Sequence, residues 1–180
     1  MNPQERQLAL DQLASSEARL LEIVKRLSPA QWSFRETPER WSIAENMEHI
    51  VALENFVTRE IANVIQGPAQ LDKRALASTK DSLVFGLAST RAARLNAREA
   101  ARPVGRWPDP ADLVAEFRKV RARTIAFAAE TQADLRSYFF PHIAFGDLDC
   151  YQWLVALGQH GYRHVAQIED IQAHPAYPAA

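Results

Sequence analysis

His160 and His164 stand four residues apart in a stretch whose apolar residues recur at helical spacing. That spacing puts both imidazoles on one helix face, about one turn apart and within reach of one metal ion. The stripe carrying them reads Cys150, Trp153, Leu157, His160, His164, Ile168 and Ile171, with two histidines where leucine is expected. A single core histidine is ordinarily a packed residue with a satisfied hydrogen bond. Two in one stripe bring four ring nitrogens that need partners, and an unpaired buried polar group costs about 1–3 kcal/mol. A metal satisfies one nitrogen on each ring at once.

A third histidine, His49, lies two turns into another predicted helix, with Leu53 and Phe56 along the same inward stripe. In a helical bundle, side chains from facing helices converge in the core. His49, His160 and His164 therefore predict a three-histidine site with a position left open for water. Such a donor set suits Zn²⁺ or Ni²⁺, and also Fe²⁺ or Mn²⁺, because imidazole is not selective. An open position reads as catalytic rather than structural. The competing reading is a buried polar network without metal. The metal reading requires His49 to come within about 8 Å of the other two, since the bonds to a shared ion are about 2 Å long.

Glu45, one turn before His49, is the sequence's candidate proton acceptor. Against that stands Ser42, three residues earlier, which makes a capping box with it. Gln167, less than a turn beyond His164, is a candidate orienter of an imidazole. Arg163 is expected off the core stripe, against a substrate or a neighbouring helix. His142 is expected on a surface loop, and Trp41 and Trp153 are expected to pack rather than to hold substrate. Other motifs fail. Gly161 occupies the place of the glutamate in the H-E-x-x-H pattern, and no Glu-x-x-His pair of the di-iron kind is present. Cys150 reads as a buried thiol, and neither a nucleophile elbow nor a phosphate-binding glycine loop occurs.

Four helices must position these residues. The first spans roughly 3–27 and stops at Ser28-Pro29. The second opens at Ser42 and ends at Gly67-Pro68. The third begins at Asp109-Pro110, an N-cap followed by proline, with Leu113, Phe117, Val120, Thr124 and Phe127 inward and Arg118, Lys119, Arg121 and Arg123 toward water. The fourth runs from about 147 to 172. No segment alternates cleanly enough to be a strand. Between the second and third helices lie about 40 residues, 67–108, long enough to cross the bundle. Residues 79–101 look helical and 102–108 read as coil. Residues 73–106 carry eight basic residues against two acidic, read as a solvated crossover with an anion-binding patch as the alternative. The predicted architecture is all-α, a four-helix bundle with one long crossover connection between helices 2 and 3.

The 180 residues fit one domain, 1–180, and Lys plus Arg (21) against Asp plus Glu (22) leaves a net charge of −1. That balance speaks against a nucleic-acid binder. One cysteine excludes an internal disulfide framework and fits a reducing compartment. The longest apolar run is about six residues, 83–88, far short of a membrane span, and no signal peptide is visible at the start. A cytoplasmic, soluble protein is the expectation.

Several segments together resemble a known family: Trp41-Ser42-x-x-Glu45-x-x-x-His49, Pro103-x-Gly105-x-Trp107-Pro108, Phe145-Gly146-x-Leu148, Trp153-Leu154, and His160-x-x-Arg163-His164-x-x-Gln167-Ile168. In this order, over essentially the whole chain, they look like the DinB-like superfamily, the DNA-damage-inducible and YfiT-type bundle proteins. The resemblance implies a four-helix bundle with a long crossover and a metal on His49, His160 and His164. It further implies a metal-dependent hydrolase, or a transferase or isomerase using a low-molecular-weight thiol, acting on a small-molecule substrate, and a homodimer. A non-catalytic metal- or ligand-binding module of the stress response is the alternative.

Overall fold

The computed structural model describes residues 1–89 and 97–179. Its elements, in chain order, are α1 (Pro3–Ile23), α2 (Pro29–Ser33), α3 (Ile43–Val64), α4 (Leu71–Ala77), α5 (Asp81–Phe85), α6 (Pro110–Glu130), β1 (Phe139–His142), β2 (Gly146–Asp149) and α7 (Cys150–Gln172). The four long helices α1, α3, α6 and α7 form a bundle. Each starts on a side-chain cap. Asn2 and Glu5, Ser42 and Glu45, and Asp149 and Gln152 make reciprocal capping boxes, while Asp109 accepts the Ala111 N–H ahead of Pro110.

Two boundaries differ from the sequence expectation. α1 stops at Ile23 because Arg26 turns the chain through a left-handed conformation, φ 61°. Ser28-Pro29 is then a start, capping the short α2. At the other end, residues 139–149 form a hairpin, pairing Phe139 with Asp149 and His142 with Gly146, so α7 begins only at Cys150. Each strand is four residues long and β1 contains a proline, too little for a period of two to show in sequence.

Around the bundle α1 packs on α6 and α7, and α3 packs on the same two, so α1 faces α3 across a diagonal. The connection from α3 to α6 runs over α7 by way of α5 and returns to α3 at Glu99–Ala101. Of the predicted helix 79–101, the described part is short turns and α5; residues 90–96 lie outside the described residues. The α1–α7 pair is close because of two glycines. A Cβ on Gly158 would lie 2.8 Å from the Gln12 side chain and 2.9 Å from its backbone, and one on Gly161 would lie 3.0 Å from Ser16. The position where the H-E-x-x-H pattern needs glutamate has room for none.

The core divides into two apolar clusters. One gathers Leu13, Val57, Ile61, Leu148 and Leu154, the other Leu20, Ile50, Leu113, Phe117 and Ile168. Where they meet, Arg121 and Glu54 form a fully buried ion pair at 2.8 Å, and Arg121 also donates to Leu13 O and Ser16 Oγ. The sequence placed Arg121 in water. It faces inward because Glu54 interrupts the α3 stripe between Ile50 and Val57 and requires a buried cation. Large exposed apolar side chains (Leu71, Leu83, Val104, Ile143) sit in the connection and the hairpin, none on α1 or α6 among the described residues. No described helix is long and apolar enough to cross a membrane.

Candidate metal centre

The Ser42–Glu45 capping box fixes the start of α3, and helical spacing then carries Asn46 and His49 into the core one and two turns on. On α7, His160 and His164 face the same space. His160 Nε2 lies 3.1 Å from His49 Nε2 and 3.0 Å from His164 Nε2. Three imidazoles from two distant stretches of chain thus converge through one nitrogen each. Among the described residues no fourth His, Cys, Asp or Glu joins them.

The remaining ring nitrogens fix the protonation pattern. His49 Nδ1 lies 2.7 Å from the Ala101 carbonyl oxygen, which only accepts, so Nδ1 carries the proton. His164 Nδ1 lies 2.8 Å from Asn46 Oδ1. The Asn46 amide is oriented by its NH₂ group, which donates to Ser42 O at 2.8 Å, so its oxygen is what His164 meets and Nδ1 is again N–H. Both Nε2 atoms therefore present lone pairs to His160 Nε2. A neutral His160 has at most one proton there and can serve one of them. A single cation serves all three, and about 3.3 Å is the separation of two nitrogens each about 2.0 Å from a tetrahedral ion. The donor set fits a divalent transition metal.

Burial holds all three rings neutral, the form that ligates. It lowers the pKa of His49, against the Ala101 bond that raises it. His160 is pushed well below the ordinary range by burial and by His164, His49, Arg163 and His142. His164 is pushed well below it by burial, His49 and Arg163, with a Gln167 hydrogen bond working the other way. Trp41 packs its ring on His49 at 4.9 Å.

The cluster opens on a cavity of about 400 Å³, whose walls include Trp41, Leu53, Trp153, Arg98 and His142. Trp41 and Trp153 thus serve as walls as well as packing. His142 was expected at the surface. The hairpin instead folds it over Trp153, with ring centroids 5.1 Å apart, and stacks it on Phe145 at 4.7 Å. Arg163 and Gln167 also line the cavity. Glu45 does not: its Oε2 accepts the Ser42 N–H at 2.8 Å and its Oε1 accepts from Arg35 at 2.7 Å. Both oxygens are engaged at the helix start.

Sequence reasoning missed three supports. Asn46 orients His164, and its signal is a polar residue one turn before His49 on the inward face. Ala101 orients His49 through a backbone atom, which leaves no trace in residue type. Glu48, buried beside His49, accepts the backbone N–H groups of Val104, Gly105 and Arg106 at 2.9–3.2 Å and so ties down the segment that brings Ala101 in.

Comparison with curated proteins finds no match. Among solved structures, YfiT from Bacillus subtilis, described as a probable metal-dependent hydrolase with an unusual four-helix bundle topology, aligns with a TM-score of 0.59. The alignment covers 99% of this chain and 91% of YfiT at 13% identity, a likeness of fold. The sequence pattern of the DinB superfamily matches residues 12–168, a span that contains all three converging histidines. By that match the chain belongs to the DinB superfamily.

Proposed function

We propose that this protein is a metal-dependent hydrolase of small molecules, with a divalent transition metal held by Nε2 of His49, His160 and His164. The observation that carries this is the pair of lone pairs, on His49 and His164, both aimed at His160 Nε2. A purely hydrogen-bonded network leaves one buried nitrogen unserved; a cation leaves none. The absence of a fourth protein ligand among the described residues, on the side that meets the cavity, supports an open position and favours an enzyme over a closed binding module.

A bound cation would supply Lewis acidity, so that a donor at its open position loses a proton near neutral pH. The chain's own residues do the rest. Ala101 and Asn46 hold two imidazoles in the tautomer that points Nε2 at the ion. Trp41, Leu53 and Trp153 give the cavity apolar walls that limit water. Cys150 supplies no thiolate, since burial pushes its thiol up to about 12, so thiol transfer would need a thiol brought by the substrate. We read Glu45 as the cap and anchor of α3 rather than the proton acceptor, on the support of its two engaged oxygens.

The test is hydrolysis of a panel of activated esters, amides and thioesters by zinc- and nickel-loaded protein, beside chelator-stripped protein and His160→Ala. Turnover that needs the metal and vanishes in the variant is expected. Turnover that survives both stripping and the substitution would overturn the proposal.

A further inference from the structure

The cavity has a second polar construction besides the three histidines. His142 Nδ1 accepts the backbone N–H groups of Ala144 and Phe145, at 3.1 and 3.3 Å. A nitrogen that accepts carries no proton, so the neutral ring is the Nε2–H tautomer, with a donor left on its other side. Burial, and then the charge of Arg98, push its pKa down to about 4, which keeps the ring neutral. Arg98 is held next to it. One guanidinium nitrogen donates to the carbonyl of Pro141, the residue before His142, and the group lies over the Phe56 ring at 5.3 Å. That bond uses one nitrogen of a side chain with five N–H donors.

Charge differs along the cavity. Among the described residues the acidic lining residues are Glu36, Glu39 and Asp170; Glu36 is paired with Arg40 at 3.4 Å and Glu39 accepts from Thr37 at 2.9 Å. The apolar lining includes Ala97 and Ile143, which adjoin Arg98 and His142 in the chain, Trp153 under His142, and Leu53 and Leu87. A cation and a neutral N–H donor therefore stand together against apolar walls. Trp153, which His142 covers, is seven residues before His160 on one helix, about 10 Å along its axis.

We propose that His142 and Arg98 form a carboxylate seat, so that the molecules taken by this cavity carry a carboxylate joined through a short apolar body to the group that reaches the histidines. The last clause rests on the metal reading; the seat itself does not. The carboxylate would accept from His142 Nε2–H and from the guanidinium, while its carbon chain lies along Leu53 and Trp153.

Hexanoate and hexan-1-ol, titrated calorimetrically into both chelator-stripped and zinc-loaded protein, test this. Hexanoate should bind at least about tenfold more tightly than the alcohol in both forms, as charge-assisted hydrogen bonds imply. His142→Phe, which keeps a ring on Trp153, and Arg98→Gln should each remove that preference. Nitrogen NMR should show His142 as the Nε2–H tautomer at pH 7, with a signal that moves on adding hexanoate and not hexan-1-ol. Equal binding of the two probes, a preference that survives both substitutions, or an Nδ1–H tautomer overturns the seat. A preference that appears only with zinc and survives His142→Phe means the carboxylate sits on the ion: the seat falls and the metal reading stands. Protein that takes up no zinc yet shows the preference and its loss in both variants keeps the seat and refutes the metal reading.

Discussion

His160 Nε2 sits where two neighbouring lone pairs point, and each of those lone pairs is set by an acceptor on the far side of its ring. Asn46→Ala removes one such acceptor. It should weaken zinc binding about 10- to 100-fold in a competition titration against a chelator, with little effect on the far-ultraviolet circular dichroism. Protons test the same arrangement. In the folded protein His49, His160 and His164 lie below the ordinary histidine value and His142 is held at about 4, whereas in the unfolded chain each titrates near about 6.5. Between those values the unfolded chain binds more protons. Metal-free protein should therefore have its full stability from these groups above about pH 6.5 and lose it progressively toward about pH 4, read as a falling urea midpoint. A midpoint that holds or rises across that window would contradict the buried neutral rings. The three converging histidines were legible in the sequence because histidine in an apolar stripe is conspicuous. Ala101 was not, because a carbonyl oxygen belongs to every residue.

Among elements, the α1–α7 contact is the tightest, and it depends on Gly158 and Gly161. Gly158→Ala places a methyl group 2.9 Å from the Gln12 backbone, which must shift. The helix propensity gained, about 1 kcal/mol, should be outweighed by overpacking of about 1–3 kcal/mol, so thermal unfolding should move to lower temperature. A raised melting temperature would show that α1 yields freely. Caps were the readable part of the elements: Ser42 and Asp109 begin α3 and α6 where the sequence placed them. The hairpin was not readable, since its two short strands are fixed by Phe140 and Trp153, whose rings stack at 4.5 Å and 1° and whose indole N–H donates to the Phe140 carbonyl. Those are tertiary contacts, and they carried His142 from the expected surface to the cavity wall.

Across the whole molecule, polar groups occupy the level at which the two apolar clusters meet: the Glu54–Arg121 pair beside Ser16, and the three histidines. Arg121→Met leaves Glu54 charged and alone in the core and should cost about 3–5 kcal/mol of stability by urea denaturation. The double variant Arg121→Met/Glu54→Leu should recover most of that loss. A single variant as stable as the parent would mean that water reaches Glu54. The bundle and its long connection were legible from stripes and breakers. The inward arginine was not, because a stripe marks apolar positions and Arg121 lies one residue beyond Val120. At this scale the central proposal is that one ion joins α3 to α7. The direct measurement is elemental analysis of protein purified without chelator and without nickel affinity, run beside His49→Ala, His160→Ala and His164→Ala. The prediction is close to one divalent transition-metal ion per chain in the parent and almost none in the three variants. Parent protein with only a trace of metal, or variants that retain as much as the parent, would contradict it.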